Sequence, residues 1–219
     1  MRISEYAHVR IHGLTEHRKE EVLANMKVVL INGSRNEKGC TFTALSEISE
    51  TLNAHGIGTE LFFTGLDPVN GSIDQIVDTV GEAMKEADGL IVGSPVYYAS
   101  PSGEVLAFLD RLFSKYGKVM KHKPAAAVVS ARRAGTTSSF DVLNKYFTIN
   151  EMPVVSSRYW NMVHGYTPDD VRQDEEGLLI MRVLADNMAW LLKCIEAGKA
   201  AGIDVPAQRE RVVTNFIKR

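Results

Sequence analysis

The chain has 219 residues, of which 45% are hydrophobic and 24% are charged, and its formal net charge is −2. This length and composition are typical of one well-buried globular domain, and the charge balance excludes a broad electrostatic attraction to nucleic acid or to an anionic membrane. No apolar run approaches the ~20 residues that cross a bilayer, the first residues lack the apolar stretch of a signal peptide, and two cysteines make no disulfide framework. We therefore expect a cytoplasmic protein.

Apolar runs that are typical of buried strands alternate along the chain with segments of helical periodicity. The predicted strands cover 28–31, 60–63, 89–93 and 125–129, and a short fifth strand begins at Pro153. Helical stripes follow the strands, at 45–52, 73–87, 105–112, 140–147 and 180–195. Strands buried on both faces and alternating with helices predict an α/β three-layer sandwich with a five-stranded parallel sheet in the flavodoxin-like order 2-1-3-4-5.

The same pattern divides the chain into three parts. Residues 1–25 form an N-terminal extension, 26–200 form the flavodoxin-like domain and 201–219 form a C-terminal tail. The extension carries scattered charge, which leaves two interpretations open. It is either a disordered extension or misassigned start, or an arm that packs on a partner subunit.

Ligands of such sheets bind outside the carboxyl ends of the strands, where the strand order reverses, and three loops lie there. The first loop follows strand one, is rich in glycine and hydroxyl groups, and ends where a helix begins. Its free backbone N–H groups and the positive helix end predict an anion site, with Glu37 pointing outward. The alternative is a capped helix with a polar connection. The candidate ligand-binding residues are Ser34, Arg35, Cys40, Thr41, Phe42 and Thr43.

The second loop follows strand three and carries two adjacent tyrosines. Tyrosines at a strand end can form a wall against a flat aromatic ligand, while a serine and the neighbouring amides meet the ligand's polar edge. An ordinary strand-to-helix connection with exposed tyrosines fits equally well. Pro101 is placed at the start of the next helix. The candidate residues are Ser94, Pro95, Val96, Tyr97 and Tyr98.

The third loop follows strand four and consists mainly of small residues and two arginines. Small residues allow the backbone to approach a ligand closely. The arginines either lie near an electron-rich part of the ligand or are solvated surface residues. The candidate residues are Ser130, Ala131, Arg132, Arg133 and Gly135.

At these loops the sequence resembles the NAD(P)H-dependent FMN reductases, a family of flavodoxin-like proteins. The family's phosphate loop runs roughly G-S-P-R-x-x-G-N-T. Residues 33–41 have the same length, with Arg35 in place of the proline and Cys40 in place of the asparagine. The family's G-S-P-V-Y-x-x-x-x-S-G followed by F-L-D-R matches residues 93–103 and 108–111.

The resemblance extends over about residues 26–200 and implies several properties. It implies FMN as the cofactor, NAD(P)H as the co-substrate, a homodimer or homotetramer, and a small-molecule electron acceptor such as a quinone, flavin, nitro or azo compound. Arg132 or Arg133 would then lie near the flavin pyrimidine, and the flavin would carry the chemistry without a catalytic side chain. The same loops also fit an FMN-binding electron carrier or redox sensor without efficient NAD(P)H turnover.

One subgroup of this family, the iron–sulfur flavoproteins, carries a cysteine cluster between the second strand and the next helix. The corresponding segment here, 65–74, contains no cysteine, and the whole chain has two. Because iron–sulfur clusters need four thiolates, or two with two histidines, we expect no cluster. The histidines also lack metal-site spacing, so no metal is expected.

Other functional classes are disfavoured by the same positions. A response-regulator receiver needs acidic residues after strands one and three, where this chain has Asn32 and Ser94. A serine hydrolase needs G-x-S-x-G, which is missing. The segment 159–165 is too aromatic for a simple solvated turn, so it lies near the ligand pocket, at a subunit interface, or against its own core.

Overall fold

The computed structural model describes residues 26–71, 73–210 and 212–214. The elements alternate between strand and helix, as the sequence pattern predicts. The strands are β1 (Lys27–Asn32), β2 (Gly58–Phe63), β3 (Gly89–Tyr97), β4 (Ser100–Pro101), β5 (Ala125–Ala131) and β6 (Met162–His164). The helices are α1 (Cys40–Ala54), α2 (Asp67–Asn70), α3 (Ile73–Glu86), α4 (Gly103–Met120), α5 (Thr136–Ile149), α6 (Pro168–Gln173) and α7 (Glu175–Ala200).

The sheet has the topology that the sequence predicts. Its strands lie in the order β2-β1-β3-β5-β6 and all of these neighbours pair in parallel. This corresponds to the order 2-1-3-4-5, because β4 is only a two-residue strand that pairs antiparallel with the end of β3. The strand order reverses between β1 and β3, where Asn32 lies opposite Gly93. The flavodoxin-like prediction is confirmed.

Side chains of each strand alternate between two hydrophobic cores, one on each face of the sheet. In β1, Val28 and Leu30 belong to the core under α1 and α7, whereas Val29 and Ile31 belong to the core under α3, α4 and α5. This two-residue alternation follows from the pleat of a strand. Because both faces are covered by helices, the strands consist of continuous apolar runs.

The fifth strand lies later in the chain than the sequence analysis places it. Around Pro153 the backbone makes only one isolated bridge, between Val154 and Ala125, and the pairing strand is β6. A proline has no N–H to continue a ladder, and the chain then leaves the sheet edge through residues 156–161. Asn161 fills the gap, because its side-chain amide donates to the carbonyl of Ala127 at 3.0 Å.

The helix after the second loop begins two residues later than expected. Pro101 belongs to β4, and α4 begins at Gly103. Ser102 is its N-cap, and the Ser102 hydroxyl accepts a hydrogen bond from the backbone N–H of Val105 at 3.1 Å. A serine cap of this kind satisfies one of the unpaired amides of the first turn.

A segment without helix or strand follows the last helix. The last helix ends at Ala200, and the described residues beyond Ile203 are exposed and form no helix or strand. The proposed extension 1–25 lies outside the described residues. None of the described helices has the length and apolar character needed to cross a membrane.

Gly33, at the end of β1, provides a test of the packing around the strand ends. A Cβ atom at this position would lie 2.5 Å from the Val105 Cβ and 3.0 Å from the carbonyl oxygen of Gly93. Because Val105 is branched and buried, we expect Gly33→Ala to lower the free energy of unfolding by about 2 kcal/mol. Gly103→Ala is the matched control, since nothing lies within 4 Å of its Cβ position. Urea unfolding measures the free energy of unfolding of both variants. Equal values for Gly33→Ala and Gly103→Ala would contradict the close packing at Gly33.

Candidate functional site

The loops after β1, β3 and β5 meet at the carboxyl ends of the parallel strands and are joined by direct hydrogen bonds. The backbone N–H of Gly33 donates to the carbonyl of Gly93 at 2.9 Å, and the hydroxyl of Ser102 donates to the carbonyl of Gly33 at 2.7 Å. The hydroxyls of Thr41 and Ser130 lie 2.8 Å apart and share a hydrogen bond. The three predicted loops therefore form one continuous surface at the point where the strand order reverses.

The first loop is held by its own polar side chains. The buried side chain of Asn32 accepts from the N–H of Ser34 at 3.2 Å and donates to the carbonyl of Glu37 at 2.8 Å. The Ser34 hydroxyl in turn accepts from the N–H of Asn36 at 3.1 Å. Glu37 is exposed, as expected, so its carboxylate does not line the loop's interior. The loop has a fixed shape before any ligand is considered.

Helix α1 begins within this loop without a side-chain cap. Its N-cap residue, Gly39, has no side chain to cap the helix, and the first turn contains no acidic residue. The backbone N–H groups of Cys40, Thr41 and Phe42 therefore stay at the positive end of the helix dipole without a carboxylate beside them. Such an end binds an anionic group, phosphate in particular.

Thr41 has a different orientation from the one expected for a ligand-binding hydroxyl. Its side chain is buried, its methyl group packs against Gly93, and its hydroxyl bonds to Ser130. Two hydroxyls that share one hydrogen bond retain a single unshared hydrogen between them. Thr43 also uses its hydroxyl within the protein, by donating to the carbonyl of Gly39 at 3.2 Å. The backbone N–H groups are thus the main donors that this turn offers.

Cys40 is a half-buried thiol at the first position of α1. Its Sγ lies 3.7 Å from the carbonyl oxygen of Gly165, to which it donates. Burial raises the pKa of the Cys40 thiol above its ordinary value. The residue's own backbone N–H partly opposes this shift, and Asp170 adds a smaller effect that raises the pKa. The side chain is therefore neutral near pH 7 and places no negative charge beside the amides of α1.

The second loop is a tight hairpin between β3 and β4. Tyr97 pairs with Ser100, and Tyr98 and Ala99 form the turn, with Tyr98 fully exposed. Burial of part of its ring raises the pKa of Tyr97, a shift that the neighbouring Arg35 partly opposes. Tyr97 thus lies close to Arg35 of the first loop, whereas Tyr98 projects into solvent at the end of β3.

The other candidates of the second loop are buried within β3. Ser94 donates its hydroxyl to the carbonyl of Pro95 at 2.8 Å and accepts from the N–H of Ser102 at 3.0 Å. Pro95 is buried and Val96 is half-buried. The structure assigns Ser94 to holding the turn, since its hydrogen-bonding capacity is used inside the protein.

The third loop has buried and exposed halves. Ser130 and Ala131 end the buried strand β5, whereas Arg132 and Arg133 are exposed. Gly135 has φ of 104°, a conformation that glycine adopts without strain, and it begins helix α5. The backbone therefore turns sharply at the edge of the surface shared by the three loops.

A fourth segment also reaches this surface, namely the end of the stretch 159–165, for which the sequence leaves the ligand pocket as one interpretation. The N–H of Gly165 donates to the carbonyl of Ala131 at 3.0 Å, and the guanidinium of Arg132 lies 5.2 Å from the centre of the Tyr166 ring. Contacts of this kind are attractive cation–π interactions. Gly165 directly follows β6, so correct placement of the fifth strand would have predicted this position by the same rule.

Glu104 is a residue that sequence reasoning missed. It lies in the first turn of α4, its carboxylate is almost fully buried, and it accepts an ion-paired contact from the Nε of Arg35 at 3.2 Å. The Arg35 side chain is more than half exposed. This pair links the first loop to the helix that follows the second loop. No sequence motif marks Glu104, because its role follows only from the approach of α4 to β1.

The aromatic segment 159–165 is divided between two environments. Tyr159 and Trp160 are exposed and form an edge-on pair with ring centres 4.5 Å apart. Asn161, Met162 and Val163 are buried against β5, and only the end of the segment reaches the loops.

Among the described residues, no group of three or more histidine, cysteine or acidic side chains is arranged to hold a metal ion.

Comparison with known proteins gives iron–sulfur flavoproteins and flavodoxin-like structures. An iron–sulfur flavoprotein of Methanocaldococcus jannaschii is 30% identical over 192 residues, which cover 78% of this chain and 100% of that protein. One of Methanosarcina thermophila is 27% identical over 131 residues, 58% of this chain and 68% of that protein.

Solved structures with the same fold include a WrbA-like flavodoxin protein of Agrobacterium tumefaciens. It has a TM-score of 0.60 and 17% identity, covering 78% of this chain and 98% of that one. A flavone reductase has a TM-score of 0.64 and 17% identity, covering 78% of this chain and 64% of that one.

The family model described as NADPH-dependent FMN reductase matches residues 26–167, which is more than half of the chain. The match includes all three loops and the uncapped start of α1. The chain is thus a flavodoxin-like, FMN-dependent oxidoreductase and belongs to the NADPH-dependent FMN reductase family.

Proposed function

We propose that this protein transfers hydride equivalents from NAD(P)H through FMN to a small acceptor such as a quinone, a flavin, or a nitro or azo compound. The observation that carries the proposal is the uncapped, acid-free start of α1 at the surface where the three loops meet. FMN, when bound, supplies the chemistry of accepting a hydride from nicotinamide and giving reducing equivalents to the acceptor. The chain's own residues bind and orient it.

The first loop has the donor set that a terminal phosphate needs. The N–H groups of Cys40, Thr41 and Phe42 are at the helix start, and Ser34 retains a hydroxyl hydrogen because its oxygen acts as an acceptor within the loop. We assign the phosphate to this turn. The loop presents one such turn and the sequence has no second phosphate fingerprint, which favours FMN over a dinucleotide flavin.

The remaining loops offer aromatic side chains and a turn without large side chains, which supports a site for a flat ring. We assign one wall of the ring site to Tyr97 and Tyr98, and the turn at Gly135 supports this wall because it packs against Ala99. Arg132 and Arg133 are the only cations that the third loop contributes, and we place the electron-rich edge of the flavin towards them. Positive charge there would favour the reduced, anionic cofactor. No side chain is assigned a covalent or acid–base role.

Gly39→Asp tests whether the start of α1 is left uncapped for a ligand. Gly39 has an extended backbone, φ −87° and ψ −165°, which an aspartate adopts. The new carboxylate would cap the free N–H groups and repel a phosphate. We expect the apoprotein to gain about 0.5 kcal/mol of stability and FMN affinity to fall by at least about tenfold. Thermal unfolding and flavin titration measure the two effects.

Gly39→Ala is the control for this substitution. It introduces the same Cβ, which would lie 3.1 Å from the Cβ of Asn36, without a cap or a charge. We expect its FMN affinity to stay within about threefold of the unmodified protein. If Gly39→Asp leaves FMN affinity unchanged, the phosphate does not bind at this turn.

Steady-state oxidation of NADH and NADPH by the FMN-loaded protein, with a panel of quinone, nitroaromatic, azo and flavin acceptors, tests the proposed activity. An enzyme should turn over many times with at least one acceptor, at rates in the ordinary range of about 1 to 1,000 per second. Slow, stoichiometric reduction with every acceptor would instead identify an electron carrier or redox sensor.

The cysteine content of the chain predicts that electrons do not pass through an iron–sulfur cluster. Cys40 lies at the start of α1 and Cys194 lies near the end of α7, and the chain has no other cysteine. Two thiolates fall short of the four that a cluster ordinarily needs. We expect anaerobically purified protein to contain flavin without stoichiometric iron or acid-labile sulfide. Iron at cluster stoichiometry would contradict the preference for hydride transfer.

We also propose a homodimer or homotetramer. The exposed pair of Tyr159 and Trp160 lies on the outer edge of the sheet, beside the unpaired side of β6. Aromatic side chains are enriched in protein interfaces, and an edge strand left open is usually protected by a bulge or a partner. This favours the interface interpretation of the segment over packing against its own core.

A further inference from the structure

The turn at the end of β3 has a strained backbone. Tyr98 and Ala99 have φ of 52° and 57°, so two consecutive residues with side chains adopt the left-handed conformation. Two-residue hairpins of this kind strongly prefer Asn-Gly or Gly-Gly, because a Cβ in this region is disfavoured. An arrangement of this kind persists only when its surroundings hold it in place.

Helix α5 provides the contacts that hold the turn. The hydroxyl oxygen of Ser138 lies 2.6 Å from the carbonyl oxygen of Ala99 and 3.1 Å from that of Gly135, so its one hydrogen is donated mainly to Ala99. Gly135 packs directly beneath the turn, since a Cβ there would lie 2.7 Å from the Cα of Ala99 and 2.9 Å from the Cγ1 of Val96. The second and third loops are thus joined by one side-chain hydrogen bond and one close backbone contact.

The side chain of Tyr98 has no support of its own. It is fully exposed, so the protein does not fix its ring by packing. Its position is set by the backbone of the turn, and the turn is held by Ser138 and Gly135. A residue in the first turn of α5 therefore controls where an aromatic side chain stands at the mouth of the ligand surface.

We propose that Ser138 is a positioning residue for the ring site: its hydroxyl holds the left-handed Tyr98–Ala99 turn against α5 and so places the Tyr98 ring over the flavin. This inference rests on the proposed FMN site, and it adds a residue to which neither the sequence motif nor the family pattern assigns a role. Ser138 does not touch the ligand in this scheme. It acts through Tyr98.

A double-mutant cycle on FMN affinity tests this coupling. We expect Ser138→Ala to weaken FMN binding about threefold to tenfold, the range that one hydrogen bond supports. In a Tyr98→Ala background the same substitution should change affinity by less than about twofold, because the residue through which it acts is gone. Ser138→Thr, which keeps the hydroxyl, should restore binding. Thr137→Ala, an exposed neighbour in the same helical turn, is the control for helix effects.

Limited proteolysis with chymotrypsin provides a readout that does not depend on the flavin. Chain cleavage after Tyr98, identified by fragment mass, should be several times faster in Ser138→Ala than in the unmodified protein, while the thermal midpoint stays nearly constant. An unchanged cleavage rate in Ser138→Ala would overturn the positioning role. So would a change in FMN affinity on Ser138→Ala that is equal with and without Tyr98. If the unmodified protein does not bind FMN, the proposed function is overturned instead. The cleavage rates would then decide by themselves whether Ser138 holds the Tyr98–Ala99 turn.

Discussion

The close approach of the backbone at Gly33 and Gly93 determines the rest of the site. Gly33 donates to the carbonyl of Gly93, and a Cβ on Gly93 would lie 2.8 Å from the Thr41 methyl group. Without side chains at these positions, α4 packs directly against the residue that follows β1, and α1 packs against the middle of β3. The amides of α1 and the serine cap of α4 come close together because neither glycine carries a Cβ.

The first turn of α1 is itself free of carboxylates, and Asp170 is the acidic residue whose charge reaches Cys40. Glu37 points outward, and the nearest buried carboxylate, Glu104, is paired with Arg35. Glu104 itself lies in the first turn of α4, where the helix dipole stabilises a negative charge. The positive end of α4 thus interacts with Glu104 and is capped by Ser102. The positive end of α1 has no such group and is available to a ligand.

The regular part of the fold could be predicted because it depends on periodic burial, which is visible in the sequence. The first four predicted strands, which are β1, β2, β3 and β5, lie where the apolar pattern places them, and the strand order is the one expected. The sequence places the fifth strand too early because 153–155 has the composition of a strand. The strand that pairs, β6, is three residues long, and the Asn161 side chain before it adds a hydrogen bond to the carbonyl of Ala127. Tertiary hydrogen bonds of this kind leave no recognisable pattern in the neighbouring sequence.

The positions of the candidate site residues could be predicted more accurately than their orientations. The three loops do meet, as the rule for parallel sheets requires. Thr41 and Ser94, however, use their hydroxyls within the protein, and Glu104 and Gly165 reach the site from elements whose approach is a tertiary property. A sequence shows which residue types end a strand. It does not show which of their polar atoms are already satisfied by a neighbour 89 residues away, as between Thr41 and Ser130.

The departure from the family's phosphate pattern at Cys40 is compatible with this electrostatic design. A thiolate at the first position of α1 would compete with an anionic ligand, since a helix start ordinarily lowers the pKa of a cysteine. Here burial raises the pKa of Cys40 and its Sγ contacts the carbonyl of Gly165. A neutral thiol donor can take a polar, uncharged role at this position, as an asparagine would. Since Cys40 contacts Gly165 and Gly165 donates to Ala131, the cysteine also connects the first loop to the third through the segment after β6.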